Sequence, residues 1–441
     1  MTSMSSAGPS LQNEWLKHAP PPRPLGPGEK WNVFLSYRSI NRAWVLNLYD
    51  VLCQHGHHVF IDQCALKPGD ELLLRLQDAL QASQAGVLIW SDAATESDWV
   101  LKEYATLEGL SEKKKGFQFI PISLDGSEVP LFAGNRIHLD FRTYPDGPNG
   151  GELMRLLHAV VGQTLSFESA KFADEQDEEA RRAGAEIAAA VHRGNADRLV
   201  HLAEQADIVW VTSPVLASKA AEGLLSLGKN DAAVLLLKGI CKRFPRAVRP
   251  KQLYASALLR RAEGTDLDDA QEILGVLYEE GQRDSETVLF YARSWMDSYV
   301  KSNNGFELKR SRDLYVEAFN RAPDDYATGI NAAAKSVLMG SAEDLKAAEV
   351  YAARVEQIVG NKPHPNDYWK TAAVGLVFLI RRDYVAAARI FDEAVSMAPK
   401  EIGSHQSTWT QVYRLVEKLQ PTINERATVR STFLHLPDPP S

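Results

Sequence analysis

The chain has little of what marks secretion, membranes, metals or nucleic acid. Its three cysteines, Cys53, Cys64 and Cys241, show no CxxC spacing and leave an odd number. That pattern fits free thiols in a reducing cytosol and excludes a disulfide framework. The longest unbroken apolar run, AAVGLVFLI at 372–380, is far shorter than the ~20 residues a membrane helix needs, so it reads as a buried helix. The opening MTSMSSAGPSLQNEW has no basic start followed by an apolar core, so a cytoplasmic chain without a secretory leader is expected. No excess of positive charge exists either. The net charge of -8 argues against broad binding to nucleic acid phosphates, which needs a basic face. The local runs KKK at 113–115 and KRFPRAVRP at 242–250 read as solvated charge. A Walker lysine motif and a GxGxxG are both missing, so neither type of nucleotide loop is indicated. HGHH at 55–58 looks metal-like, but His57 and His58 alternate across a strand and no further ligands accompany them. No metal and no bound cofactor are expected.

What is present is length and pattern. At 441 residues the chain is too long for one core, and domain-size statistics suggest roughly two to four units. Residues 1–29 end in HAPPPRPLGPGEK, where proline and glycine favour a disordered, extended linker. From Trp31 to about residue 166, the apolar runs NVFLSY, HVFID, AGVLIWS, FQFIPIS and RIHLDF alternate with helix-period segments at 41–55, 70–84, 97–110 and 150–164. Strands alternating with helices imply a parallel sheet covered on both faces. Residues 167–186, ending in KFADEQDEEARRAGAE, read as a charged connecting helix or hinge.

Beyond it only helix-length segments occur, with a weak repeat. A small residue is followed by an apolar one four later, another three later and proline five after that. Ala387, Phe391, Ala394 and Pro399 fit, as do Ser311, Tyr315, Ala318 and Pro323, and Ala233, Leu237, Ile240 and Pro245. Incomplete copies fall at Ala270, Leu274 and Leu277 and at Ala347 and Tyr351. Leu237, Leu274, Tyr315, Tyr351 and Phe391 are then 37, 41, 36 and 40 residues apart. These spacings exceed the ~34 of a tetratricopeptide repeat, whose second helix the residues resemble. Gly375 and Phe378 fall where that repeat's first helix has its small and aromatic residues. Residues 187–425 are therefore expected to form an all-α solenoid, with 426–441 as a tail. The alternative is a helical domain without repeats.

An open parallel sheet binds ligands outside the carboxyl ends of its strands, where strand order reverses. SYRS, DQCALKPGDE and SDAATESDWVLKE follow the first three strands and would converge there. Pro68-Gly69 marks a turn, and Thr95 with Asp98 suits a helix start. Trp99 and Glu103 lie four apart, so they share one helix face.

VFLSYRS (33–39), FIDQCALKPGDEL (60–72) and SDWVLKE (97–103) resemble, in order and spacing, the three sequence boxes of the TIR (Toll/interleukin-1 receptor) domain. DWVLKE looks most like the NAD-cleaving members of that family, in the animal axon-degeneration enzyme and bacterial antiviral effectors. The resemblance covers residues 30–166 and departs from many members in having Val100 where they have cysteine. It implies an α/β flavodoxin-like fold with a five-stranded parallel sheet, ahead of the tetratricopeptide-like solenoid. Glu103 then matches the catalytic glutamate. Tyr37, Arg38, Ser39, Asp62 and Trp99 fall where substrate would be held, and Lys67, Pro68, Gly69 and Asp70 lie on the family's gating or assembly loop.

The implied activity is NAD+ glycohydrolysis, switched on when the TIR domain self-associates, with NAD+ as substrate and a protein or peptide trigger on the helical repeat. A role in bacterial antiphage defence or cell-death signalling would follow. Each residue also has a plain structural reading: Trp99 as core, Arg38 as an ion-pair partner and Glu103 as a solvated helix residue. A non-enzymatic TIR adaptor is the rival function, and Glu103 within DWVLKE counts against it. Cyclisation or base exchange in place of hydrolysis stays open, as does a resemblance of the helical region to the TRAF-binding part of stress kinases.

Overall fold

The structure, a computed structural model, describes residues 17–37, 41–61, 78–91, 98–126, 138–144, 147–204, 210 and 212–439, and the backbone alone for 98–105. The chain divides into two compact units. One holds the described residues up to Ala188 together with Val200–Ala220 and Lys238–Pro250; the other holds Ala189–Leu199, Ala221–Leu237 and Lys251 onward.

The first unit is built on five parallel strands in the order β2-β1-β3-β4-β5: β1 (Trp31–Ser36), β2 (Val59–Phe60), β3 (Ser83–Trp90), β4 (Gln118–Ser123) and β5 (Leu139–Asp140). This is the flavodoxin-type order, with its reversal between β1 and β3. Every residue of β3 is buried, as a central parallel strand covered on both faces requires. The covering helices are α1 (Arg42–Gln54), α2 (Asp98–Lys113) and α3 (Gly150–Val160). The expected helix at 70–84 is described only at 78–81, which is helical. It ends before β3, where Lys30 N and Trp31 N both donate to Ala82 O.

Two expectations change here. In the described part of the N-terminal segment, Lys17 and His18 are helical and 19–29 is irregular as proline dictates, but it is held. Arg23 Nη1 and Nη2 donate to Gly116 O (3.0 Å) and Gln84 O (3.1 Å), while Gln84 Nε2 donates to Pro24 O (2.8 Å). Its backbone thus finds partners on the sheet domain rather than running free. The α/β unit also takes in residues that the repeat reading assigned to the solenoid. Asp50 Oδ2 accepts from Arg246 N (2.8 Å) and Ala247 N (2.9 Å), and the Arg246 guanidinium lies 5.0 Å from the centre of the Tyr49 ring.

The charged segment forms one continuous helix, α4 (Phe167–Arg193). Asp177 receives Gly151 N (2.6 Å) and the Tyr144 hydroxyl, at the N-terminus of α3, where an anion is favoured. Next come α5 (Ala196–Ala203), α6 (Val215–Ser226) and α7 (Asn230–Arg243).

The second unit is helical. It holds α8 (Val248–Arg261) from Lys251 onward and α9 (Asp266–Glu279), then the packed pairs α10 (Ser285–Ser302) with α11 (Gly305–Arg321), α12 (Tyr326–Met339) with α13 (Ala342–Val359), and α14 (Tyr368–Ile380) with α15 (Tyr384–Met397), followed by α16 (Ile402–Leu419) and α17 (Ile423–Ser431). Capping carboxylates and hydroxyls start many of them. Asp284, Asp325, Ser341, Asp367 and Asp383 each accept a backbone N–H of the first turn. Pro245, Pro323 and Pro399 each stand two residues past a helix end, where proline stops a helix.

The repeat residues Leu237, Leu274, Tyr315 and Phe391 are all buried. A side chain on Gly375 would put its Cβ 2.5 Å from Phe391 Cε1, so the small-residue position is a close approach between α14 and α15. In α13 the register differs by one from the expected copy. Ala348, Ala352 and Val355 form the buried line, and Tyr351 sits beside it, edge-on to Phe319 at 6.2 Å. The expected tail is partly core: Val429, Phe433 and Leu436 are buried, and Phe433 stacks on Trp409 at 5.1 Å. No helix among the described residues is long and apolar enough to cross a membrane.

Candidate functional site

Switch-point geometry is visible at the carboxyl ends of β1 and β3. β1 ends at the buried Ser36, and the half-buried Tyr37 follows. β3 ends at the buried Trp90, and Ser91 follows. Asn41, just before α1, donates from Nδ2 to Ser91 Oγ at 2.8 Å. This hydrogen bond joins the polypeptide leaving β1 to that leaving β3, at the crevice where open sheets of this order take ligands.

Helix α2 begins on this edge and runs back along the sheet. Its placement depends on Gly86 in β3, where a Cβ would come 2.1 Å from Leu107 Cδ2 and 3.2 Å from Phe117 Cζ. Only hydrogen at that position lets α2 lie so close. Leu107 is fully buried. Positions 99 and 103 lie two turns and one turn before it on the same helix, which carries both toward the carboxyl edge. α1 is anchored by Trp44, whose Nε1 donates to Tyr144 O at 2.9 Å.

Of the residues expected at the site, Tyr37 is the one described in full. Trp99 and Glu103 are placed by backbone on α2. Arg38, Ser39, Asp62, Lys67, Pro68, Gly69 and Asp70 lie outside the described residues, as does Thr95.

The histidines lie elsewhere. His57 precedes β2 and is buried, whereas His58 is exposed. Burial, with the nearby His55 second, pushes the His57 imidazole down to about 4, so it is neutral in the fold at neutral pH. Among the described residues no group of three or more His, Cys, Asp or Glu side chains is placed to hold a metal ion.

Comparison with known proteins agrees with this architecture. A family model described as the TIR domain matches residues 33–157, and one described as Tetratricopeptide Repeats-Sensor matches residues 229–338. The chain carries a TIR domain followed by a helical region of tetratricopeptide type. It is 32% identical over 102 residues to a probable 2′ cyclic ADP-D-ribose synthase of Brachypodium distachyon, a match covering 23% of this chain and 43% of the plant protein. The chain thus spans less than half the length of that relative. Among solved structures, the TIR domain of the Toll-related receptor TRR-2 of Hydra magnipapillata is 24% identical, with 26% of this chain and 86% of that one covered and a TM-score of 0.24. A thermophilic tetratricopeptide protein of Thermus thermophilus is 15% identical, with 46% and 98% covered and a TM-score of 0.35.

Proposed function

We propose that the TIR domain cleaves NAD+ at the bond between nicotinamide and ribose. The observation that carries this reading is DWVLKE at the start of α2, the helix that follows β3, with positions 99 and 103 one turn apart on it. The similarity to a plant protein named as a 2′ cyclic ADP-D-ribose synthase supports it.

The chemistry asks little of the protein. The bond from the ribose anomeric carbon to the pyridinium nitrogen breaks, its electron pair goes to that nitrogen, and nicotinamide leaves neutral. No general acid is needed. Positive charge develops on the sugar, as in glycoside cleavage, and one carboxylate beside it lowers the barrier. Glu103 takes that role, and Trp99 packs against the nicotinamide or ribose. Tyr37, Arg38, Ser39 and Asp62 hold the remaining substrate, the arginine suiting the pyrophosphate. Water then attacks the anomeric carbon and loses its proton to solvent, giving ADP-ribose; attack from within the molecule gives a cyclic product instead.

Self-association through the loop carrying Lys67, Pro68, Gly69 and Asp70 switches the domain on, and the helical region receives the trigger. Draining NAD+ in this way fits bacterial antiphage defence or cell-death signalling. The test is purified protein with NAD+, with and without a crowding agent that forces assembly, following nicotinamide, ADP-ribose and cyclic products by chromatography beside Glu103→Ala. Nicotinamide release that vanishes in the variant is expected. Assembled protein that releases none points to a binding adaptor instead.

A further inference from the structure

The inner helices of the helical unit bring together more positive charge than they neutralise. α10 carries Arg293 and Asp297 one turn apart, α12 carries Asn331 and Lys335 one turn apart, and α16 carries Gln411 and Arg414. Arg293 Nε and Arg414 Nη2 each lie 3.5 Å from the Asp297 carboxylate. Gln411 Nε2 donates to Asn331 Oδ1 at 3.2 Å, tying α16 to α12. Arg260 of α8 is near enough for Arg293 to act on its charge. Its Nη1 donates to Leu225 O at 2.9 Å, and its buried Nε meets no acceptor among the described residues.

Lys335 stands in the middle of this group. It is 6% exposed, and its Nζ lies 5.8 Å from the centre of the Tyr315 ring. Among the described residues no hydrogen bond or ion pair reaches the ammonium. Asp297 is already shared by two guanidiniums, so with Lys335 protonated the three cations Arg293, Lys335 and Arg414 against that one carboxylate leave two positive charges in excess. An ammonium on so buried a residue, with a ring beside it and no hydrogen-bonded counter-charge of its own, is costly. Packing alone gives no reason for it, because methionine would fill the same space.

We propose that Lys335, Arg293 and Arg414, with Asn331 and Gln411 beside them, form a binding site for a small molecule bearing a phosphate monoester or diphosphate. A phosphate monoester brings roughly two negative charges at neutral pH, which matches the excess, and a terminal diphosphate brings about one more. Asp297 holds the two guanidiniums in place, and guanidiniums suit the paired oxygens of a phosphate. The burial of Lys335 and the packing of α12 against α16 favour a compact anionic group over an extended acidic peptide. Burial first, and the Arg414 charge second, hold the Lys335 amine down to about 7, so an arriving anion restores its proton and its charge together. The site is independent of NAD+ cleavage and stands or falls separately.

The test is calorimetric titration of the full chain at pH 7 and fixed salt with inorganic phosphate, inorganic pyrophosphate and ADP. Saturable binding of at least one probe is expected. Tighter binding of pyrophosphate identifies a free diphosphate, and tighter binding of ADP one borne on a nucleoside. Lys335→Met is expected to weaken binding at least about tenfold while raising the melting temperature of the ligand-free protein, since it removes an uncompensated buried charge. A merely structural lysine would give the opposite melting shift. Arg414→Gln, at a position whose side chain is 22% exposed, gives a second reading and is expected to weaken binding as well. No saturable binding of any probe, or binding unchanged in both variants, would overturn the proposal.

Discussion

The two units carry their polar chemistry in different ways. In the α/β unit the described polar contact lies where strands end, Asn41 meeting Ser91 past β1 and β3, and the candidate positions 99 and 103 fall on the first turns of α2. In the helical unit the polar chemistry stands on regular helices, in the middle of α10, α12 and α16. The first arrangement leaves the sheet free to be apolar, as the wholly buried β3 shows. The second puts charge inside packed helices, where every group needs a partner. A strand-end site is thus readable as a short run of residues, whereas a site between helices is scattered across the chain.

The largest effect expected from breaking this contrast is on the α/β side. Glu103→Gln keeps the size of the side chain and removes its charge, so nicotinamide release should fall by at least about 10²-fold; chromatography of an NAD+ digest reads it. Close approach is the next difference. Gly86→Val drives a side chain into Leu107 and shifts α2, whereas Gly375→Val meets Phe391 between α14 and α15. Each should cost about 1–3 kcal/mol of stability in its own unit by overpacking. Only the first should lower NAD+ cleavage in protein that remains folded, measured by activity beside thermal melting.

The smallest effects are in pH. His57 in the α/β unit and His405 in the helical unit are both pushed down to about 4 by burial, each with a second histidine nearby. Unfolded histidine binds protons below about 6.5, so both units should lose stability as pH falls from there toward 4. The alkaline side separates the units. Lys335 is held at about 7 against an ordinary 10.5, so the unfolded chain binds the extra proton between those values and stability should rise with pH across that window. The groups acting on it are Arg293 and Asp297 from α10 and Arg414 from α16, with the Tyr315 ring of α11 beside it. Melting curves from pH 7 to 10 should show the rise in the wild type and lose it in Lys335→Met.

Much of this was open to reading along the chain. Apolar runs bounded by turns located all five strands; those inside the sheet are almost uniformly apolar because both faces are buried, and the half-buried edge strand β5 lies within the run RIHLDF. The repeat residues emerged because each helix pair must bury the same positions. Three things were not legible. The return of 238–250 to the α/β unit is made through contacts such as Asp50 accepting two backbone N–H groups and Gln54 donating to Arg243 O, which have no periodic signature. The register of α13 was masked by Tyr351, which looks like a core aromatic but flanks Ala352. Phe433 and Leu436 sit in a proline-rich end that reads as tail until Trp409 is seen beneath Phe433. The basic cluster had one sequence signal, Lys335 alone within the apolar NAAAKSVLM. Its partners lie on helices far apart in the chain, so no motif unites them.

The central claim is that the α/β unit breaks the nicotinamide bond through Glu103. Its most direct measurement is nicotinamide release from NAD+ by the full chain under crowding that drives assembly, with light scattering recorded in parallel and Glu103→Gln beside the wild type. Release by the wild type and loss of at least about 10²-fold in the variant is the result expected. Equal release by both proteins, or none from wild type that scattering shows to be assembled, would contradict it.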